Sequence, residues 1–170
     1  LGPGEKDVRV NLPWPVALTL SRISLDDGAF VTPVKPKYQM LCYGDSITHG
    51  YDALLPSRKY VSQLAQYLEA EEHNKAIGGE FFFPELANTE ESFIPDYITV
   101  AYGTNDFARC QYSVFLQNCK EFYENLSRTY PQSRIYAITQ IWRKDHEKDT
   151  DFPDFFSVKK HIEAVAANLP

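Results

Sequence analysis

Two apolar runs punctuate the chain in the same way. Tyr38-Gln39-Met40-Leu41-Cys42-Tyr43 closes on Gly44-Asp45-Ser46, and Tyr97-Ile98-Thr99-Val100-Ala101-Tyr102 closes on Gly103-Thr104-Asn105-Asp106. Short apolar runs bounded by turn residues predict strands buried in a parallel sheet. A third strand is expected at 134–142. Between and after the runs the period changes to that of a helix. Val61, Leu64, Ala65 and Leu68 share one face of a helix near 58–71. Phe115, Leu116, Cys119, Phe122, Tyr123 and Leu126 form the stripe of another near 111–129, which Pro131 terminates. A last helix spans 156–169, with Val158, Ile162, Val165 and Leu169 on one side. No strand is legible between Glu72 and Asn74, and His73 reads as the solvated end of a charged helix. Repeated βα units predict a parallel sheet with helices on both faces.

The first 37 residues follow a different pattern. Val8-Arg9-Val10-Asn11-Leu12 alternates, Val16–Ile23 reads as a second strand, and Asp26-Asp27-Gly28 is a turn signal. Pro33 and Pro36 mark a linker. The division expected is therefore a short β-rich segment at 1–37 and an α/β domain at 38–170. The segment is too small to be stable alone; a hairpin packed on the main sheet is the alternative to the tail of another domain. Leu1-Gly2-Pro3-Gly4 does not read as a native start, so removal of a leader is an expectation.

Composition narrows the partners. A chain of 170 residues can bury one sizeable core, and 44% hydrophobic with 14% aromatic residues supports one. A net charge of −6 argues against a nucleic-acid backbone as partner. No apolar run is long enough to span a membrane. Cys42, Cys110 and Cys119 show no metal-ligand spacing and cannot all pair, which fits a reducing compartment. A secreted mature form is the alternative.

The chemistry lies in the polar clusters. A serine after a strand and before a helix sits where open α/β sheets bind ligands, beside N–H groups that favour negative charge. Gly44-Asp45-Ser46-Ile47-Thr48-His49-Gly50, Asn74-Lys75-Ala76-Ile77-Gly78-Gly79 and Gly103-Thr104-Asn105-Asp106 occur in that order. Together they resemble the SGNH/GDSL hydrolases, and the resemblance runs from about Tyr38 to the C-terminus. It implies a three-layer α/β/α sandwich with a parallel, flavodoxin-like sheet, and a serine esterase activity. Ester hydrolysis needs an attacking hydroxyl, a base, and donors for a tetrahedral oxyanion. Ser46 is the expected nucleophile. The Ser46 N–H, the Gly79 N–H and the Asn105 amide are the expected oxyanion donors. By their places near the catalytic edge, Asp45, His49, Trp142 and Arg143 are candidate substrate-facing residues, with loop hydrogen bonding the alternative for Asp45. Phe81-Phe82-Phe83 is read either as a wall of the acyl pocket or as packing against the body of the domain.

The family's base lies in a late Asp-x-x-His motif, and no Asp-x-x-His occurs in this sequence. The expectation is a domain cut short of that block, or a variant that lacks it and efficient catalysis, with the base then a histidine absent from this sequence. Among the four histidines His146 is the candidate base, because it follows strand 134–142; His161 lies on an apolar helical stripe. By resemblance the substrate is a short acyl ester, such as an acetyl group on a carbohydrate, and the β-rich segment is similar to the end of a β-sandwich that precedes the hydrolase domain in some carbohydrate esterases. No metal or organic cofactor is implied. The competing functions are a non-catalytic domain that binds carbohydrate or a small ligand, and a flavodoxin-like phosphate-binding module. The second is disfavoured because the sequence has neither a phosphate loop nor a Rossmann glycine pattern.

Overall fold

Strand β1 (Tyr38–Gly44) lies inside the sheet, and its side chains build both sides of the protein. Met40 and Cys42 point to one face, Leu41 and Tyr43 to the other, and each is at most 1% exposed. This is why residues 40–43 are apolar at every position instead of at alternate ones. The computed structural model describes residues 4–13 and 16–169. The first three residues of the expected non-native start, and Pro170, lie outside these.

Four parallel strands form the sheet in the order β2-β1-β3-β4, with β2 at Ala70–Asn74, β3 at Tyr97–Ala101 and β4 at Arg134–Ala137. Helix α2 (Tyr60–Tyr67) covers one face and packs Val61 and Ala65 on Met40, Cys42 and Ala70. Helices α4 (Tyr112–Thr129) and α5 (Phe156–Ala166) cover the other. Phe115, Cys119, Phe122, Tyr123 and Leu126 from α4 meet Leu41, Tyr43, Ile98 and Val100 there, and Val158 and Ile162 from α5 join them. The layers and strand order agree with the α/β/α expectation.

Phe82 lies in the middle of this larger cluster, fully buried, with its ring 5.2 to 6.0 Å from those of Tyr102, Phe115, Phe122 and Tyr123. Truncating such a ring typically costs about 3–5 kcal/mol. At Phe82 the aromatic triplet therefore packs against the body of the domain, whereas Phe83 remains 48% exposed.

Three sequence expectations for the α/β domain need correction. Helix α2 ends at Tyr67, not near residue 71. Glu69 takes a positive φ of 55° and turns the chain directly into β2, which contains His73. The strand escaped notice because it is polar. It lies at the sheet edge, and its charges are satisfied there: Glu72 accepts from Lys59 Nζ at 2.8 Å and from Ser62 Oγ at 2.5 Å. His73 stacks on Phe93 with ring centroids 3.9 Å apart. Strand β4 stops at Ala137 instead of 142. Its neighbour β3 ends at Ala101, so after the Ile138 N–H bond to Val100 O the ladder has no further partner.

In the first segment the Asp26 turn forms, with Ala29 N–H bonded to Asp26 O at 3.0 Å. The stretches at 8–12 and 16–23 find no ladder partner among the described residues, and Val8, Val10, Leu18 and Leu20 are exposed. Lys37 N–H joins the segment to the domain through Glu69 O at 2.8 Å.

Candidate active site

In a parallel sheet all strands deliver their carboxyl ends to one edge. The chain leaves β1 for β2 on one side, then crosses to β3 on the other, so the loops after β1 and β3 diverge and leave a crevice. The loops after β1, β2 and β3 carry Ser46, Gly79 and Asn105 respectively. Residues nearly sixty apart in sequence thus share one edge of the sheet.

Ser46 opens α1 (Ser46–His49), a single turn. Asp45 caps it, its Oδ1 accepting the Ile47 N–H at 2.9 Å, and Gly50 closes it in the left-handed conformation at φ 111°. A Cβ on Gly44 would collide with Thr48 Oγ1, so only glycine lets the turn fold back on the strand. Thr48 is fully buried and its Oγ1 pairs with Tyr60 OH at 2.8 Å. Ser46 stays half-exposed above this buried footing. Asp45 is 1% exposed, which places its carboxylate beneath the turn instead of at the ligand side. Burial raises its pKa, while the Ile47 N–H and the Arg143 charge pull it back. His49 ends α1 half-buried, its ring 6.4 Å from that of Tyr51.

The loop after β2 comes to the same place. Lys75 N–H donates to Cys42 O at 2.8 Å and Ile77 N–H to Gly44 O at 3.1 Å, so the loop runs along the end of β1. A Cβ built on Gly78 would stand 3.9 Å from Ser46 Cβ. Gly79 has φ +85°, open to glycine and strained for other residues. From the other side, Asn105 Nδ2 donates to Glu80 O at 2.9 Å. An amide nitrogen has two hydrogens, so this bond orients the group while leaving a second donor.

Asp106, the last residue of the Gly103–Asp106 cluster, ties that turn to the Phe82 backbone. It is 1% exposed, and its two oxygens accept Gly103 N–H at 2.9 Å and Phe82 N–H at 3.2 Å. Burial pushes its pKa up to about 6, against the pull of those two N–H groups. The motifs miss Arg109: its Nη1 lies 3.6 Å from the position a Cβ would take on Gly79. No sequence pattern announces that approach, because it depends on α3 (Thr104–Arg109) facing the loop after β2.

Arg143 forms the other rim. It grips Asp145 through Nε and Nη2 at 2.8 and 2.7 Å, and its Nη1 donates to Thr104 O at 3.0 Å, next to Asn105. Trp142 is 64% exposed, with its ring 5.4 Å from that of His146. The ring nitrogens of three histidines bond elsewhere: His146 Nδ1 to Arg143 O, His161 Nε2 to Leu116 O and His73 Nε2 to Gln39 Oε1, at 3.0, 3.0 and 2.7 Å. None of these bonds goes to Ser46. Beside α3, Phe107, His146, Phe152, Phe155 and Phe156 line a cleft of about 460 Å³. Among the described residues no helix is long and apolar enough to cross a membrane.

Residues 42–168 match the GDSL-like lipase/acylhydrolase family. No curated protein matches the sequence. Among solved structures, a carbohydrate esterase family 2 enzyme with a carbohydrate-binding domain, from Corynascus thermopiles (Myceliophthora fergusii), superposes with a TM-score of 0.66 at 19% identity. The match covers 85% of this chain and 57% of that one. A family two carbohydrate esterase from Clostridium thermocellum, in complex with cellohexaose, gives 0.65 at 16% identity over 82% of this chain and 52% of the other. A salicylyl-acyltransferase from a tetracycline biosynthetic pathway gives 0.65 at 22% identity, covering 79% and 40%. The chain thus spans little more than half the length of the two esterases, and at these identities the likeness is one of fold.

Proposed function

The chain belongs to the GDSL-like lipase/acylhydrolase family, and from that membership we propose that it carries the site of a serine esterase with Ser46 as nucleophile. The observation behind this reading is the convergence of three loops on one edge: the Ser46 turn, the Gly78-Gly79 loop, where a Cβ on Gly78 would stand 3.9 Å from Ser46 Cβ, and Asn105 bound to Glu80 O at 2.9 Å. Ser46 Oγ attacks the acyl carbon, and its proton passes to a base. The carbonyl π pair moves to oxygen, where the Ser46 N–H, the Gly79 N–H and the second Asn105 hydrogen receive it. The oxyanion collapses, the C–O bond to the alcohol breaks, and the alcohol leaves with a proton from the base. Water then repeats the sequence on the acyl-enzyme and releases the acid.

Within these residues His146 is the candidate base. The contact of its Nδ1 with Arg143 O, at 3.0 Å, favours the tautomer with the proton on Nδ1 and the lone pair on Nε2. In the family pattern the base comes from an Asp-x-x-His block that this sequence does not contain. We assign residues 38–170 to the hydrolase domain and 1–37 to a separate segment ahead of it.

The proposed substrate is a short acyl ester, with acetylated carbohydrate favoured. Two of the structures it resembles are described as carbohydrate esterases. Trp142, 64% exposed, offers a face on which a sugar ring can stack, and Arg143 stands beside it for a polar group. A serine-directed phosphonate tests the reading. One adduct on the peptide containing Ser46 is expected; an unreacted Ser46 would favour the ligand-binding alternative on the same scaffold.

A further inference from the structure

We propose that Asn74 is a positioning residue of this site, whose side chain couples the turn presenting Ser46 to the loop carrying Gly78 and Gly79. The inference rests on the serine esterase reading. Asn74 ends β2, opposite Cys42 of β1. Its Oδ1 accepts the Ala76 N–H at 3.0 Å and starts the loop. Its Nδ2 donates to Thr48 O at 2.9 Å, twenty-six residues back in sequence. Within this short helix Ser46 O already accepts the Gly50 and Tyr51 N–H groups, whereas Thr48 O, in the last turn, takes its donor from Asn74.

The two bonds do different work. An Asx turn needs only the acceptor, so an aspartate would start the loop equally well. The donor arm is what joins the loop to the Ser46 turn, and only the amide has it. The amide is held in turn. Glu72 Oε1 stands 3.4 Å from Nδ2, and Glu72 is itself fixed by Lys59 at 2.8 Å and Ser62 at 2.5 Å. The chain of contacts therefore runs from α2 through Glu72 and Asn74 to both sides of the proposed oxyanion site. Both arms of Asn74 are taken up by the protein's own backbone, so it acts through the spacing of Ser46 and Gly79.

Asn74→Ala removes both arms, and Asn74→Asp keeps the acceptor and loses the donor. Each variant is compared with the wild type by circular dichroism, by amide signals in nitrogen-15 spectra, and by kcat and KM for a chromogenic acetyl ester. For both variants we expect a folded protein, shifted Gly78, Gly79 and Thr48–Tyr51 amide signals, and a kcat lowered about 10- to 100-fold with KM within about two-fold. Unmoved Gly78 and Gly79 signals, or a kcat within about three-fold of wild type with only a lower melting temperature, overturn the proposal. Should Asn74→Ala not fold, Asn74→Asp decides by the same criteria. A wild type that leaves the ester intact defeats the serine esterase reading alone, because the amide signals still test the coupling.

Discussion

The side-chain amide of Asn105 is bonded to the backbone carbonyl of Glu80 at 2.9 Å, which ties the turn after β3 to the residue following Gly79. Two proposed oxyanion donors are thereby held in one frame. Such preorganisation matters because the donors need not reorient when charge develops.

Asn105→Ala should therefore lose more activity than stability. One lost donor is expected to lower kcat by about 10²- to 10³-fold, whereas the lost bond to Glu80 is worth about 1 kcal/mol of folding free energy. Steady-state kinetics beside urea unfolding separates the two. Comparable activity in the variant and the wild type would remove Asn105 from the oxyanion site.

Asp106 makes stability depend on pH. Its folded pKa of about 6 lies above the value of about 3.9 expected in the unfolded chain. The folded state thus holds the proton more tightly. The resulting stabilisation is complete below about pH 4 and is lost as pH rises through about 6, a swing of about 3 kcal/mol. Asp106→Asn cannot titrate, and it turns one N–H toward a backbone donor at a cost of about 1–3 kcal/mol. Urea unfolding of both proteins from pH 4 to 7 should show the wild-type advantage shrinking as pH rises. A constant or growing advantage would rule out this titration.

Two glycines should respond differently to alanine. Gly103 has φ +112°, and a Cβ there would lie 2.7 Å from Val158 Cγ1, so overpacking against α5 adds about 1–3 kcal/mol to the backbone strain. At Gly79 the nearest atom is Arg109 Nη1 at 3.6 Å, an ordinary contact, which leaves a strain of about 1–2 kcal/mol. Melting temperatures are expected to fall further for Gly103→Ala. Among folded molecules, Gly79→Ala should show the greater loss of ester hydrolysis, because its N–H is displaced. The reverse order of activities would argue that Gly79 only makes a turn.

Local pattern was enough to read much of the scaffold. Met40, Leu41, Cys42 and Tyr43 are buried on two faces of the sheet, so β1 carried an uninterrupted apolar signature. The face of α4 was equally plain from Phe115, Cys119, Phe122 and Leu126. Strand β2 was illegible because its polar residues are satisfied by partners distant in sequence, such as Gln39 beside His73 and Lys59 beside Glu72. Motif order brought out Ser46, Gly79 and Asn105. The parts that assemble them depend on contacts through space: Asn74 reaching Thr48, Asp106 reaching Phe82, Arg109 facing Gly79. In sequence each of these looks like an ordinary loop or helix-end residue.

The most direct test is hydrolysis of a chromogenic acetyl ester by the wild-type chain with Ser46→Ala alongside. The account predicts turnover by the wild type that disappears in the variant while the variant keeps its fold. Equal rates for the two proteins, or no rate above background for either, would contradict the assignment of Ser46 as the nucleophile of an active esterase.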